Sequence, residues 1–387
     1  MLDDKKKKAD ASCPEHRRVW FWLCLCIGTF LFCTNLAVLM NLAKQHSARE
    51  LRVSSTADSA LVIPNKMATI TSADTEADNG LPRRLPADFR YAHICPAAEQ
   101  KLTNFAPRSE KPKVPSENRK EFVMGGYQKI HKGSGDYRLV GPMTMKLSNV
   151  QHDEGIFGSV AELGVHHGRF TGALYITAKE TEKLLAADLF EELQSQNVDV
   201  SGYGDKQAFL AGLQSYGLDE TDLHLLYTGS TEDIPFDWHL RKNFEPFRLI
   251  SVDAGHTAAL TFNDLEVAFC NTLRGGIVIL DDFFHNLWPG VTEGFFQFAA
   301  MGPVKSVYPF LRCEGKNFVT NDRRFHQLYY NKLKNDPTLK VFLKEYAHNT
   351  RGTKVKYMMN GVEYLKCNPE SLTEETFHML WNFFTTS

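Results

Sequence analysis

Downstream of Gly155 the chain alternates between short apolar runs and longer amphipathic stretches. The short runs predict strands, and the amphipathic stretches predict helices. A regular alternation of the two is typical of a mostly parallel sheet that is covered by helices on both faces. The pattern therefore predicts an α/β fold. The strand candidates are Ser159–Leu163, Lys183–Ala187, Leu223–Tyr227, Arg248–Val252 and Gly276–Leu280.

One predicted helix connects the fourth and fifth strand candidates. It runs from Thr257 to Leu273 and is expected to stop at Arg274–Gly276. Such a crossover makes the flanking strands parallel. Farther along, Val304–Leu311 and Lys316–Thr320 predict a hairpin that turns at Glu314-Gly315. The last stretch predicts a helix near Phe325–Tyr346, a strand pair around Lys354–Leu365 and a closing helix.

Val19–Leu42 is a run of 24 residues without a charge. This exceeds the roughly 20 residues that span a bilayer, so we expect a transmembrane helix. Basic residues are concentrated before the run, which predicts a cytosolic N-terminus and a lumenal C-terminal part, as in a single-pass type II protein of the Golgi or ER. A cleaved signal peptide is the alternative, although its apolar region usually has only about 7–15 residues.

The segment after the predicted anchor is polar and lacks sustained periodicity, which is typical of a stem or linker. The expected layout resembles that of Golgi-resident enzymes that modify glycans. The predicted divisions are a cytosolic tail (1–18), an anchor (19–42), a stem (43–120), a catalytic domain (121–322) and a C-terminal helical and strand extension packed on that domain (323–387).

The composition fits one large globular domain with appendages: 387 residues, 43% of them hydrophobic, with a formal net charge of −2. Because no basic stripe lies outside the N-terminus, we expect no nucleic-acid partner. Four cysteines beyond the predicted anchor can form disulfides in an oxidising lumen. A free buried thiol is an equal alternative for Cys270. The four are Cys95, Cys270, Cys313 and Cys367.

The first candidate site element is the glycine turn that follows the first strand. Glu162 lies near the end of the strand, and Gly164 and Gly168 allow the backbone to turn sharply and approach a ligand. Asp188 follows the second strand, where a carboxylate can bind both hydroxyls of a ribose. The alternatives are a tight strand-to-helix turn for the glycines and a helix cap for Asp188.

The second candidate element is acidic. Asp253 follows the fourth strand, and Asp281 and Asp282 follow the fifth. Acids at neighbouring strand ends converge on one crevice, where Mg²⁺ or another divalent cation would relieve their repulsion. His256 has a side chain that can accept a proton from a substrate hydroxyl. The alternatives are solvated caps for the acids and a capping or surface histidine.

Taken in order, Ala161–Val165 with Gly168, Asp188–Phe190, Val252–His256 and Gly275–Phe283 resemble the class I S-adenosylmethionine-dependent methyltransferases. More narrowly, they resemble the metal-dependent O-methyltransferases, including those that act on macrolide sugars. The resemblance spans roughly Met143–Thr320. Arg169-Phe170 departs from it, since related turns often have a small or hydroxyl residue there.

The resemblance implies a Rossmann-like sheet of seven strands and a role for each site residue. Glu162 and the turn through Gly164 and Gly168 would hold the methionine portion of S-adenosylmethionine, and Asp188 the ribose. His256 would be the general base. Mg²⁺ would be bound by Asp253, Asp281 and Asp282.

We therefore expect a membrane-anchored, Mg²⁺-dependent O-methyltransferase that acts on a sugar hydroxyl of a glycan in the secretory pathway. A metal-dependent Golgi-type glycosyltransferase shares the stem layout and the acidic pairs. A non-catalytic binding protein with a methyltransferase fold is a third hypothesis.

Overall fold

The computed structural model describes residues 109, 111–114, 139–215, 217–302, 306–371, 373, 375, 376 and 380. The predicted cytosolic tail and anchor, most of the stem, Cys95 and most of the closing helix lie outside these residues. Within the described part, no helix combines the length and the apolar character needed to cross a membrane.

One large sheet organises the described part of the chain. The strands, in chain order, are β1 (Ser159–Leu163), β2 (Leu184–Asp188), β3 (Leu223–Thr228), β4 (Phe247–Val252), β5 (Thr272–Leu280), β6 (Tyr308–Cys313), β7 (Lys316–Thr320), β8 (Leu343–Lys344), β9 (Tyr346–His348), β10 (Lys354–Lys356), β11 (Met358–Met359), β12 (Val362–Glu363) and β13 (Leu365–Cys367). The sheet order is β3-β2-β1-β4-β5-β7-β6-β13-β8. Strands β1 to β5 are mutually parallel, and β7 is antiparallel to both β5 and β6.

Helices cover both faces of this sheet, as the alternating pattern predicts. They are α1 (Val140–Asp153), α2 (Arg169–Tyr175), α3 (Lys206–Ser215), α4 (Trp238–Arg241), α5 (Ala258–Cys270), α6 (Pro289–Met301) and α7 (Arg323–Lys334). Short 3-10 turns lie at Glu191–Gln196, Glu220–Asp222, Thr231–Asp233, Lys340–Phe342 and Pro369–Ser371. The predicted α/β fold of Rossmann-like type is confirmed, and the seven expected strands are extended at one edge by β13 and β8.

The central strands are buried on both sides, so their residues alternate between two apolar cores. Val160 and Leu249 belong to the core that also contains α1 and α2. Ala161 and Ile250 belong to the core on the opposite face, which contains α5 and α6. Each fully buried Leu or Ile side chain contributes about 1.5–3 kcal/mol, so these strands anchor the fold. Their carboxyl ends all point to one edge.

The helix between β4 and β5 is shorter than predicted. It begins after Thr257, whose side chain accepts a hydrogen bond from the Leu260 backbone N–H at 3.2 Å. It ends at Cys270, and Arg274–Gly276 lie inside β5. The expectation that these residues stop the helix is therefore wrong. They lie where the β4–β5 register shifts, and Gly275 has a φ of 82°. The glycines form an irregularity in a strand.

The C-terminal extension also differs from the prediction. Helix α7 ends at Lys334, well before Tyr346, and Pro337 follows closely after its last turn. Proline disfavours helical backbone in the residue before it. The chain then contributes β8 and β13 to the sheet, and a disulfide joins Cys313 of β6 to Cys367 of β13. Cys270 is disulfide-bonded as well.

Candidate active site

A cavity of about 620 Å³ opens at the carboxyl ends of β1, β2, β4 and β5. This volume lies in the range of pockets for small molecules, and the position is where open α/β sheets bind ligands. Gly168 does not line the cavity but caps α2 just behind it. The other predicted site residues all line it: Glu162, Gly164, Asp188, Asp253, His256, Asp281 and Asp282.

Both glycines of the predicted turn have left-handed backbone conformations. Gly164 has a φ of 82°, and a Cβ at this position would lie 2.1 Å from the backbone oxygen of Asp253. Gly168 has a φ of 77°, and a Cβ there would lie 2.5 Å from Cδ2 of Phe209. Any side chain at either position would be strained and would clash. Gly164 therefore lets the end of β1 pass directly against the end of β4, and Gly168 leaves room for the Phe209 ring of α3.

Asp188 holds the adjoining turns together while it lines the cavity. Its Oδ2 accepts a hydrogen bond from the backbone N–H of His166 at 2.8 Å, and its Oδ1 accepts one from the N–H of Phe190 at 2.7 Å. A Cβ on Gly204 would lie 2.5 Å from Oδ1, so glycine at that position leaves room for the carboxylate. Asp188 can therefore hold the adjoining turns together and still line the cavity.

Glu162 is buried at the floor of the cavity, where the Thr171 hydroxyl donates a hydrogen bond to its Oε2. Burial disfavours the carboxylate form and raises the pKa of Glu162 to about 7, although nearby Lys316 opposes the shift. Glu162 therefore titrates close to neutral pH. A cationic ligand group nearby would favour its ionised form.

Lys316, at the start of β7, is a fully buried cation among these acids. Its Nζ lies 2.5 Å from Oδ2 of Asp281 and 3.8 Å from Oδ2 of Asp253, and 4.0 Å from the centre of the Phe170 ring. Burial alone would lower the pKa of Lys316, but Asp281, Asp253 and Glu162 outweigh it and raise that pKa. The ammonium thus supplies a positive charge at the acidic end of the cavity.

Asp253 and Asp282 face the cavity from the other side, with about a quarter of each side chain exposed. Burial and the charge of Asp281 raise the pKa of Asp253. Asp282 has a φ of 50°, a backbone conformation that non-glycine residues rarely adopt. Strain of this kind is common where a side chain must point into a site.

The imidazole of His256 lies between carboxylates. Its Nε2 is 3.0 Å from Oδ2 of Asp282 and 3.8 Å from Oδ1 of Asp253, and its Nδ1 is 3.2 Å from Oδ2 of Asp199. Burial would lower the pKa of His256, but hydrogen bonds and charge from Asp253 and Asp282 raise it to about 10. The ring of Trp288 packs 4.7 Å away, centre to centre. A pKa of about 10 makes the imidazole cationic near neutral pH.

Only two of the three carboxylates that were predicted to bind the metal lie together with His256. In the described part of the chain, the residues whose ligand atoms lie within 4.8 Å of one another are Asp253, His256 and Asp282. The carboxylate of Asp281 instead pairs with Lys316. Two carboxylates and an imidazole can bind a divalent cation, and the nitrogen makes the group more suitable for Mn²⁺ or Zn²⁺ than an all-oxygen set would be.

Two residues of this site are absent from the sequence-based candidates. Lys316 is a charged residue at the start of an otherwise buried strand, which is a weak signal that it needs a partner. Asp199 lies in an irregular connection with no periodic pattern, so nothing in the sequence distinguishes it from a solvated acid. Both are recognisable only once the strands and connections are placed.

The family model described as "Methyltransferase domain" matches residues 161–283. These residues contain most of β1, all of β2 to β5 and every predicted site residue. This part of the chain therefore matches a methyltransferase domain. The resemblance to S-adenosylmethionine-dependent methyltransferases is confirmed, and so is the prediction that the protein is an enzyme of this class. The match favours a methyltransferase over the glycosyltransferase alternative.

Several solved methyltransferase structures are similar to this chain. CalS11, a calicheamicin methyltransferase, is 17% identical over 65% of this chain and 99% of its own, with a TM-score of 0.37. An O-methyltransferase from Bacillus cereus in complex with SAH is 15% identical over 53% and 90%, with a TM-score of 0.36. MycE with Mg, SAH and mycinamycin VI is 16% identical over 56% and 57%, with a TM-score of 0.35. No curated protein matches the sequence.

Proposed function

We propose that the protein transfers the methyl group of S-adenosylmethionine to a sugar hydroxyl of a glycan in the secretory pathway. The observation that carries this proposal is the position of His256, Asp253 and Asp282 beside the glycine turn in one cavity of a methyltransferase domain. The turn provides space for the cofactor. The cluster provides the acid–base groups that a hydroxyl acceptor requires.

The cofactor is expected along the part of the cavity formed by the ends of β1 and β2. Gly164 allows close approach of the methionine portion, and buried Glu162 faces its ammonium group. The Asp188 carboxylate, fixed by two backbone N–H groups, is available to the ribose hydroxyls. Arg169 also lines the cavity and has a guanidinium that suits the cofactor carboxylate.

The acceptor is expected on the side of His256 and Trp288. An aromatic ring at the rim of the cavity packs against the apolar face of a sugar, and Trp288 lies next to the base. His256 removes the hydroxyl proton, the oxygen forms a bond to the methyl carbon, and the carbon–sulfur bond breaks to release S-adenosylhomocysteine. The proton stays on Nε2 until solvent removes it.

His256 can act as a base only in its neutral form. Another cation must then balance the charges of Asp253 and Asp282. These residues fit a divalent cation, Mg²⁺ or another, with Asp281 held behind them by Lys316. Such a cation would supply Lewis acidity that lowers the pKa of an acceptor hydroxyl. The side chains of Asp253 and Asp282 would hold it.

We further propose that Val19–Leu42 anchors the protein with its catalytic part in the lumen of the Golgi or ER. The support is the 24-residue uncharged run and the excess of basic residues before it. Resistance of the full-length protein to alkaline extraction, together with protease protection of its C-terminal part in intact vesicles, tests this arrangement. Release by alkali would contradict it.

Calorimetry of the detergent-solubilised full-length protein with S-adenosylmethionine tests the cofactor, with Mg²⁺ and Mn²⁺ as separate additions. Transfer of a labelled methyl group to a panel of glycans then tests the acceptor. We expect cofactor binding in both cases and transfer that a chelator reduces. Cofactor binding without transfer to any hydroxyl acceptor would overturn the proposed acceptor class.

A further inference from the structure

Asp199 lies in the connection between β2 and α3, 57 residues before His256. Its Oδ2 accepts a hydrogen bond from the backbone N–H of His256 at 2.6 Å and lies 3.2 Å from Nδ1 of the same residue. Only 7% of the Asp199 side chain is exposed. One carboxylate oxygen therefore contacts both the backbone and the ring of His256.

Hydrogen bonds within the connection hold Asp199 in place. The backbone N–H of Ser201 donates to Oδ1 of Asp199 at 2.9 Å, and the backbone N–H of Asp199 donates to Oδ1 of Asn197 at 3.3 Å. The Asn197 amide in turn donates to the carbonyl oxygen of Gly202 at 3.1 Å. Because both Asp199 oxygens are used, the carboxylate has a fixed direction, which is toward His256.

The remaining sides of the imidazole are also occupied by identified groups. Asp282 and Asp253 face Nε2, and Trp288 packs against the ring. On the Nδ1 side, the charged group that contacts the ring is Asp199. An ionised carboxylate only accepts hydrogen bonds, so Nδ1 must carry the proton in this contact. Nε2 is then the nitrogen directed at the reaction space.

We propose that Asp199 is a positioning residue for His256, which holds Nδ1 as the donor and so presents Nε2 to the acceptor hydroxyl. This inference rests on the proposed function for its kinetic consequence. A partner on the distal nitrogen fixes the tautomer and the orientation of a functional histidine, and loss of such partners typically costs about 10–100-fold in activity. The same connection lines the cofactor cavity through Asn197 and Ser201.

Steady-state kinetics of three full-length variants test the assignment. Asp199→Ala removes both hydrogen bonds, so we expect kcat to fall about 10–100-fold with the cofactor Kd within about twofold of wild type. Asp199→Asn retains an oxygen that the His256 backbone N–H holds in place, so its kcat should lie between those of wild type and Asp199→Ala. Val200→Ala is the control, because Val200 is 84% exposed and lies outside the cavity.

Unchanged kcat in Asp199→Ala would overturn the assignment, and so would an Asp199→Asn variant as slow as Asp199→Ala. A second measurement does not depend on the acceptor. In full-length protein labelled with ¹⁵N-histidine, with His256→Gln used for assignment, the Nδ1 signal of His256 should be that of a protonated, hydrogen-bonded nitrogen and should change in Asp199→Ala. If wild type transfers no methyl group but shows this change, only the proposed function fails. If Asp199→Ala leaves the signal unaltered, the positioning role fails.

Discussion

The ammonium of Lys316 lies 2.5 Å from the carboxylate of Asp281, and both side chains are largely buried, with Asp281 in the wall of the cavity. This ion pair separates Asp281 from its neighbour Asp282, although the two are adjacent in the sequence. Asp281 points inward to Lys316, while Asp282 adopts a φ of 50° and points into the cavity. One acid of the pair is thus tied to the fold and the other is available to ligands.

Replacement of Lys316 by methionine should destabilise the protein strongly. It leaves Asp281 buried without its cation, and removal of one partner of a buried pair typically costs about 3–5 kcal/mol. Chemical denaturation measures the free energy of unfolding. Lys334→Met is the matched control, since Lys334 pairs with Glu345 on the surface and should cost no more than about 1 kcal/mol. Equal losses in the two variants would contradict the ion-pair assignment.

Asp282→Ala should abolish methyl transfer while cofactor affinity stays within about threefold, because Asp282 lies with His256 and away from the glycine turn. Calorimetry with S-adenosylmethionine and a labelled-methyl assay separate the two effects. Glu370→Ala serves as the control, because Glu370 is 86% exposed and lies in the C-terminal extension. Full activity in Asp282→Ala would refute its place in the cation-binding group.

Divalent-cation binding should release protons, because Asp253 and Asp282 favour the cationic form of His256. The pKa of His256 is raised to about 10, above its ordinary 6.5, so the imidazolium contributes stability below pH 6.5 that is lost as the pH rises toward 10. A cation at Asp253 and Asp282 competes with that proton. Its affinity should therefore rise with pH between about 7 and 9, by up to about tenfold per unit.

Calorimetry in buffers of different ionisation enthalpy measures the number of protons released, which should approach about one per bound cation. In His256→Gln the release and the pH dependence should both decrease, while Asp253 and Asp282 remain. A pH-independent affinity in the wild-type protein would show that the imidazolium does not compete for the site.

Acid should destabilise the protein through Glu182, which lies in the core far from the cavity. Burial would raise its pKa, but the Arg248 guanidinium and hydrogen bonds from His152 and Arg248 lower it from 4.5 to about 2. The pair thus contributes stability above pH 4.5 that is lost as the pH falls toward 2, about 3 kcal/mol in all at 1.36 kcal/mol per unit. Urea titrations of wild type and Glu182→Gln measure this, and parallel pH profiles would contradict it.

The sequence predicts most of the sheet and the place of the site, for identifiable reasons. Strands β1 and β7 coincide with their predicted ranges, because each is a short buried run between turn residues. The acids at strand ends converge because parallel strands share a carboxyl edge. Helix ends were less accurate, as at Cys270 and Lys334, since strand irregularities and caps depend on tertiary contacts.

The partners of the predicted residues could not be found in the same way. Lys316 meets Asp281 because the antiparallel register places Asn317 opposite Leu280, and no local pattern specifies that register. Asp199 reaches His256 across 57 residues through a connection without regular structure. The sequence therefore identified the acidic groups, but not which of them are neutralised within the protein.

Gly164→Ala should disrupt the cofactor site through a steric clash in addition to backbone strain. Its φ of 82° alone would cost about 1–2 kcal/mol for an L-residue. Gly361 provides a matched control, because its φ is 75° and a Cβ there would meet nothing within 4 Å. Gly361→Ala should therefore show the backbone cost without a clash.

At Gly164, by contrast, the new Cβ would lie 2.1 Å from the Asp253 backbone oxygen, so the ends of β1 and β4 must separate. We expect a larger loss of unfolding free energy than in Gly361→Ala. Binding of S-adenosylmethionine should also weaken at least about tenfold, while Gly361→Ala binds normally. Thermal denaturation and calorimetry compare the two variants. Equal stability losses with unaltered cofactor binding in both would mean that the close approach of these strand ends is not what forms the pocket.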